Sequence, residues 1–337
     1  MNTTFYKVAK HVNFISMNLL CKLSKQSVIL PFYHTISNNE LIHIKHLYQP
    51  KNTLQFEKEL DFLLKNFHAI DYVEYSKCIL ENRPLKNKFL LSFDDGLAEF
   101  YTVIAPILKR KGIPAINFLN SGFVDNQDLF YRYKVSILIE KLQTSTFSNN
   151  TQQSINHWFN EQKIKLDSGF KGLLKITYSQ KESLDTLAEL LSVDFKAYLK
   201  DFNPYLNQQQ IKELIHQGFH FGAHSINHPP YYSISLDEQL RQTKESVHTL
   251  TTNFQLPYQT FSFPFTDHLV SKAFFDKMES LTQITFGCAG LKNDSTKFNK
   301  QRIPLEIDGF NGEEILRGEY LYYIFKSILN KNTIHRN

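Results

Sequence analysis

The chain has 337 residues, 42% of them hydrophobic, and a net charge of +5 spread along its length, enough for one α/β barrel with an insertion or for two average domains. No run of five or more Lys/Arg occurs, which excludes a nucleic-acid arm and leaves a mildly basic surface suited to an acidic glycan or a membrane face. Cys21, Cys78 and Cys288 are few, odd in number and far apart, so neither a disulfide framework nor a cysteine metal cluster is implied, and a reducing or thiol-indifferent compartment is expected.

Phe5, Val8, Val12, Ile15, Leu19 and Leu23 recur at helical spacing. They predict one amphipathic N-terminal helix within residues 1–27, packed on the domain or resting on a membrane surface. Lys7 and Lys10 precede an apolar stretch that Asn13, Ser16 and Asn18 interrupt. It is a poor signal peptide and too short to span a bilayer, so a cytoplasmic location is expected, with peripheral membrane contact through this helix as an option.

From residue 28 onward, short apolar runs alternate with helical patterns, the order of βα units around a mostly parallel sheet. Residues 28–33 form the first predicted strand, ending in His34. Thr53 is the expected cap of a helix with Phe56, Leu60, Leu63, Leu64 and Phe67 on its apolar face. Residues 88–93 read as a buried strand and 100–111 as the helix after it, stopped by Gly112 and Pro114. Another strand is expected at 115–119.

From about 125 to 205 the sequence turns polar and Gln/Asn/Ser/Lys-rich, with helical stretches at 135–142 and 183–199 and the only tryptophan, Trp158. An excursion of that length is too long for a simple loop and predicts a helical insertion or lid. Order resumes with an Asn207 cap, Gln210 three residues on, and a helix ended by Gly218. A strand at 219–223 and a helix opened by a Ser235/Glu238 capping box come next. Strands at 260–263, 284–286 and 302–307 follow, then a last helix with Leu321, Ile324, Phe325 and Ile328 on one face.

Two carboxylates, Asp94 and Asp95, end the apolar run of the 88–93 strand in Ser92-Phe93-Asp94-Asp95-Gly96. Aspartate is depleted inside strands, so the pair belongs at a strand's mouth, where barrel enzymes place their chemistry. Such a pair can both hold a metal and manage a proton. After the 219–223 strand, His224 and His228 stand four apart in His224-Ser225-Ile226-Asn227-His228-Pro229-Pro230. A carboxylate with two imidazoles and open positions is the make-up of a catalytic divalent site, with Zn²⁺ the expected ion.

With these residues the chain resembles the polysaccharide deacetylases, the family that includes the chitooligosaccharide deacetylases. The motif of threonine or serine followed by Phe-Asp-Asp-Gly is Ser92-Phe93-Asp94-Asp95-Gly96, and the motif His-Ser/Thr-x-x-His is His224 to His228. The resemblance spans about 28–307, with the insertion outside it. It implies an α/β fold, a distorted (β/α) TIM-like barrel, with Asp95, His224 and His228 as metal ligands, Asp94 as general base and Ser225 bracing the loop. Family members carry an arginine just before a proline-centred turn. Here that turn, Phe261 to Asp267, has none, and Arg302 is the candidate to supply the cation from a later strand. By resemblance the Phe265 N–H polarises the acetyl carbonyl. The histidine that protonates the leaving amine in many members is also missing; His34 and His268 are candidates, and Tyr-His at the place of His34 recurs in a subset of the family.

The expected activity is metal-dependent removal of N-acetyl groups from a saccharide. Two alternatives are a catalytically reduced, deacetylase-like glycan-binding protein and an amidohydrolase of a small non-sugar amide.

Overall fold

Parallel strands buried on both faces tend to be continuous apolar runs, and eight parallel strands, all but one with apolar residues, form the central sheet of the computed structural model, which describes residues 3–12, 14–167 and 169–337. In chain order they are β1 (Pro31–Tyr33), β2 (Leu91–Asp94), β3 (Ala115–Leu119), β4 (His220–Ala223), β5 (Thr260–Ser262), β6 (Ile284–Gly287), β7 (Asn299–Gln301) and β8 (Ile303–Pro304). Their spatial order is β7-β6-β5-β4-β3-β2-β1-β8, and every pairing is parallel.

β7 and β8 are two halves of one segment, so the edges of the sheet meet and it rolls into a nearly closed barrel. The seam is Arg302. Its N–H donates to the Gly287 carbonyl at 3.1 Å on one side, and the Ile303 N–H donates to the Leu30 carbonyl at 2.8 Å on the other. The strand expected at 302–307 is therefore a strand of 299–304 that changes partner at residue 302. Between the strands and the helices that cover them, Tyr33, Phe56, Phe93, Phe100 and Phe221 are buried in the main core.

Helix starts follow their caps closely. The helix Thr53–Asn66 opens on Asn52, one residue before the expected Thr53, because Asn52 and Gln55 form the reciprocal capping box. Asn207 and Gln210 do the same for Gln208–His216. Ser235 caps Leu236–Phe254, but Glu238 is drawn away to Arg241 and Gln242 and does not return the bond. The 100–111 helix begins as a π-turn, Phe100–Ile104, and becomes α-helical over Ala105–Lys111. Pro106, which has no N–H to offer, lies at that change.

The single N-terminal helix is a misreading: two short helices, Thr3–Ala9 and Met17–Ser24, stand in its place. Asn13 lies outside the described residues. Ser16 caps the second helix by accepting from the Leu19 N–H, which resets the helical phase. As a result Tyr6, Ala9, Met17, Leu20 and Cys21 are buried, and Val8, Leu19 and Leu23 of the expected stripe face outward. Both helices rest on the last helix, Gly312–Ile328; Tyr6 donates to Glu319 at 2.5 Å and lies where any side chain at Gly318 would be. The buried face of the last helix is also shifted from the expected one, Leu321 and Ile324 packing partly buried at its margin. Ile315, Leu316, Tyr320 and Tyr323 are buried, while Phe325 and Ile328 are exposed.

Between β3 and β4 the insertion folds as four α-helices, Tyr131–Thr144, Asn149–Glu161, Ser183–Leu190 and Phe195–Phe202. The helix expected over 183–199 breaks because Asp194 caps a fresh start, accepting from the N–H groups of Lys196 and Ala197. These helices build their own apolar core with Leu138, Leu142, Trp158 and Leu187. The insertion then returns to the barrel beside the carboxylates: the Leu206 N–H donates to the Gly96 carbonyl at 2.9 Å, and Ala98 N–H to Pro204 O at 2.9 Å.

Candidate active site

Asp94 is the last residue of β2 and is buried at the barrel mouth. Arg302, buried at the seam, meets it with both guanidinium arms: Nη1 donates to Oδ1 at 2.8 Å and Nη2 to Oδ2 at 2.6 Å. Fork-to-fork pairing of this kind fixes orientation as well as charge. Nη1 also donates to Ser92 Oγ and Nη2 to Ser262 Oγ, and the guanidinium lies 4.3 Å from the Phe32 ring centre. Burial pushes the Asp94 carboxyl up, but the Arg302 charge and hydrogen bonds outweigh it, and the net shift is downward. The carboxylate is held ionised and aimed.

Asp95 turns the other way. Its φ of +73° and that of Gly96, +68°, make a left-handed turn that few residues adopt. A side chain at Gly96 would also collide with Leu119. The turn brings Asp95 Oδ1 to 3.6 Å from His224 Nε2 and 3.2 Å from His228 Nε2. Ser225, also left-handed, accepts the His228 N–H on its Oγ at 3.0 Å. Asn120 donates to the His224 carbonyl and to Ser225 Oγ, which ties the histidine loop to the end of β3.

The donor set fits a divalent cation. The ligand atoms of Asp95, His224 and His228 lie within 4.8 Å of one another, and all three residues are buried. Asp95 Oδ1 has no hydrogen-bond partner among the described residues, a costly state for a buried carboxylate oxygen unless a cation satisfies it. His224 Nδ1 lies 2.8 Å from the Ser262 carbonyl, which can only accept, so Nε2 keeps its lone pair toward Asp95. Burial lowers the His224 pKa to about 4, so the ring is neutral, as a ligand must be. Burial raises the Asp95 carboxyl, yet the facing His228, His34 and His224 pull it well below the carboxylate range.

His34 follows β1 at the same mouth and is held by one carboxylate. Glu306 Oε2 lies 2.7 Å from His34 Nδ1 and accepts the His34 N–H at 2.7 Å, while Oε1 accepts the Thr35 N–H at 3.1 Å. Burial works against protonation, but the Glu306 hydrogen bond and charge, with Asp95 and Asp94 behind, raise the pKa to about 9. Phe265, with φ +56°, places its ring 4.7 Å from that of His228. His268 is exposed on the same loop.

Asp94, Asp95, His224, His228, Arg302, His34 and Phe265 are thus all brought to one end of the barrel. Several residues of the site were not read from the sequence, Glu306, Asn120 and Ser262 among them. Tyr133, on the first insertion helix, donates to Asp95 Oδ2 at 3.0 Å; Phe130 packs its ring 4.3 Å from His228. The one signal for Tyr133 and Phe130 was the aromatic run Phe130-Tyr131-Arg132-Tyr133, within the segment expected as a helical insertion or lid.

A family model described as polysaccharide deacetylase matches residues 81–281. Among solved structures, the fold is similar to the Streptococcus pyogenes deacetylase PplD, at 15% identity and a TM-score of 0.55 over 87% of this chain and 98% of that one. It is also similar to IcaB from Ammonifex degensii, at 13% identity and a TM-score of 0.53 over 87% and 97%. A third is BC0361, a polysaccharide deacetylase from Bacillus cereus, at 12% identity and a TM-score of 0.52 over 87% and 69%. Among curated proteins no match is found.

Proposed function

Because this chain belongs to the polysaccharide deacetylase family, we propose that it hydrolyses the N-acetyl group of a saccharide, with Asp94 as general base at a divalent-metal site formed by Asp95, His224 and His228. The observation that carries the reading is the bidentate Arg302–Asp94 pair standing beside that triangle. A bound divalent ion, for which Zn²⁺ suits the donor set, supplies Lewis acidity and makes water acidic enough to react near neutral pH.

The chain's own groups account for the remaining needs. Asp94, ionised and fixed by Arg302, takes the proton of the attacking water. The Phe265 N–H shares the negative charge that builds on the acetyl oxygen. His34, kept charged by Glu306, returns a proton to the leaving amine. Tyr133 holds Asp95 on the oxygen that does not face the imidazoles.

The arginine absent from the 261–267 turn is replaced at Asp94 by Arg302, which weakens the case for a catalytically reduced binding protein. Acetate release from a panel of N-acetylated saccharides and small amides, with and without chelator, tests the proposal. Chelator-sensitive acetate from sugars alone supports it; release from small amides alone, or metal binding without turnover, rejects it.

We also infer peripheral contact with an anionic membrane. Among the described residues no helix is long and apolar enough to cross one. Yet Phe14 is 80% and Leu23 61% exposed, and residues 3–25 carry Lys7, Lys10, Lys22 and Lys25 without one carboxylate. Co-sedimentation with vesicles containing phosphatidylglycerol, and none with neutral vesicles, is expected; equal recovery from both removes the idea.

A further inference from the structure

The loop that carries Phe265 does not hold its shape alone. Phe265 sits at φ +56° and Leu269 at +64°, both unfavourable for side chains of their kind. Two residues after Phe265, Asp267 turns its carboxylate into the protein, where its side chain is only 3% exposed. It does not point to the metal triangle. It meets Asp294, whose side chain is 1% exposed, and a guanidinium stands between the two.

That guanidinium is Arg336. Its Nη2 donates to Oδ2 of both Asp267 and Asp294, and its Nε donates to Asp294 Oδ1 at 3.0 Å. Nη1 donates to the carbonyls of Asp267 at 2.9 Å and Val270 at 3.2 Å, gripping the loop backbone itself. Residues 333–334 pair in parallel with 293–294, which brings Arg336 to this place. The Thr296 N–H donates to Asp294 Oδ1 at 2.9 Å, and the donors shared by the two carboxylates come from β7. Asn299 Nδ2 reaches Oδ2 of Asp267 at 2.8 Å and of Asp294 at 2.9 Å, and Gln301 Nε2 reaches the same oxygens at 2.6 and 2.9 Å. The next residue of that strand is Arg302, the partner of the base.

We infer that Arg336 is a positioning residue, the cation that holds the Phe265 loop in register with the strand leading to Arg302. Two buried carboxylates that accept from the same amide donors repel each other strongly in a low dielectric. Arg336 is the one cation that touches both among the described residues. Without it, repulsion drives Asp267 away from Asp294, and the Phe265 N–H moves with the loop. The Cys288 thiol, which donates to the Phe265 carbonyl at 3.0 Å, is too weak a bond to resist that force. A displacement of about 1 Å at such a group can cost as much as 10²-fold in rate.

This inference rests on the oxyanion role proposed for Phe265, and its test separates the two. In Arg336→Gln, kcat for acetate release should fall between about 10- and 100-fold. KM and metal affinity should stay within about twofold, since no contact to substrate or ligand set is removed. Hydrogen exchange of the amides at 265–270 should accelerate. Adding Asp294→Asn to Arg336→Gln relieves the repulsion and should restore slow exchange and much of the lost kcat, which a merely structural role for Arg336 would not do. Parent-like kcat and exchange in folded Arg336→Gln overturn the inference, as does failure of the double variant to recover either. Faster exchange with parent-like kcat overturns the catalytic consequence and also the Phe265 role. If Arg336→Gln does not fold, Arg336→Lys, which keeps the cation, should retain near-parent exchange at 265–270, and fast exchange there overturns the inference. Exchange decides the clamp even if no acetate is released.

Discussion

Asp94 and Asp95 are neighbours in sequence, yet they occupy two regions built on different principles. The Asp94 region is made of barrel strands alone: Ser92, Ser262, Phe32 and Arg302 close around it, and its counter-charge is a permanent part of the protein. The Asp95 region is made of a histidine loop roofed by Tyr133 and Phe130 from the insertion, and its immediate neighbours are imidazoles and a phenol. A buried carboxylate with a fixed guanidinium is complete, whereas one facing a neutral imidazole is complete only with a cation supplied from outside. On the proposed reading one region holds the base and the other the metal ligands.

Substitutions that empty one region without the other test this division most severely. Asp94→Asn should lower acetate release by about 10³-fold or more while metal content measured by mass spectrometry stays at the parent level. His228→Ala should lose metal and turnover together. If Asp94→Asn loses its metal, the two regions are not separate. Arg302→Met strands a buried carboxylate and should cost about 3–5 kcal/mol in urea unfolding, a loss that added metal does not repair.

The pH profile probes the link between the regions. His34 must be charged to donate, and its pKa of about 9 lies above the ordinary histidine value. The rate should therefore hold through neutrality and fall as pH rises through about 9. Asp94, shifted downward, keeps its proton off across the same range. His34→Gln should reduce the rate by roughly 10²-fold and remove the alkaline limb; a limb that persists assigns the proton to another group. Smallest is the effect expected for Tyr133→Phe, which removes one hydrogen bond to Asp95 and should weaken metal binding by about 10- to 100-fold in chelator competition, with the base untouched.

Much of this was legible in the chain. The apolar runs before Asp94 and His224 could only be buried strands, and a carboxylate pair and a histidine pair at strand ends point to a metal hydrolase wherever the strands are parallel. Arg302 was legible as a cation on a later strand that could hold Asp94, although the two-armed geometry of the pair was not. Less was legible where packing, and not pattern, chose the outcome. The stripe from Phe5 to Leu23 predicted one helix, but Ser16 restarts the helix and Tyr6 fits the recess over Gly318, so the buried face changed. The 125–205 segment looked like a separate insertion because its composition differs from the barrel, and composition does not report that its first helix reaches Asp95.

The sequence by itself determined the local terms: which residues are strands, where caps begin helices, and which side chains can bind a metal or move a proton. Such terms depend on neighbours a few positions away, and a single chain displays them. Tertiary structure alone decided who faces whom. It closed the barrel at Arg302, 208 positions from Asp94, gave Glu306 to His34 and Tyr133 to Asp95, and set Arg336 between Asp267 and Asp294. Buried charges find partners wherever the fold brings opposite charge within reach, and that distance is not written in sequence spacing.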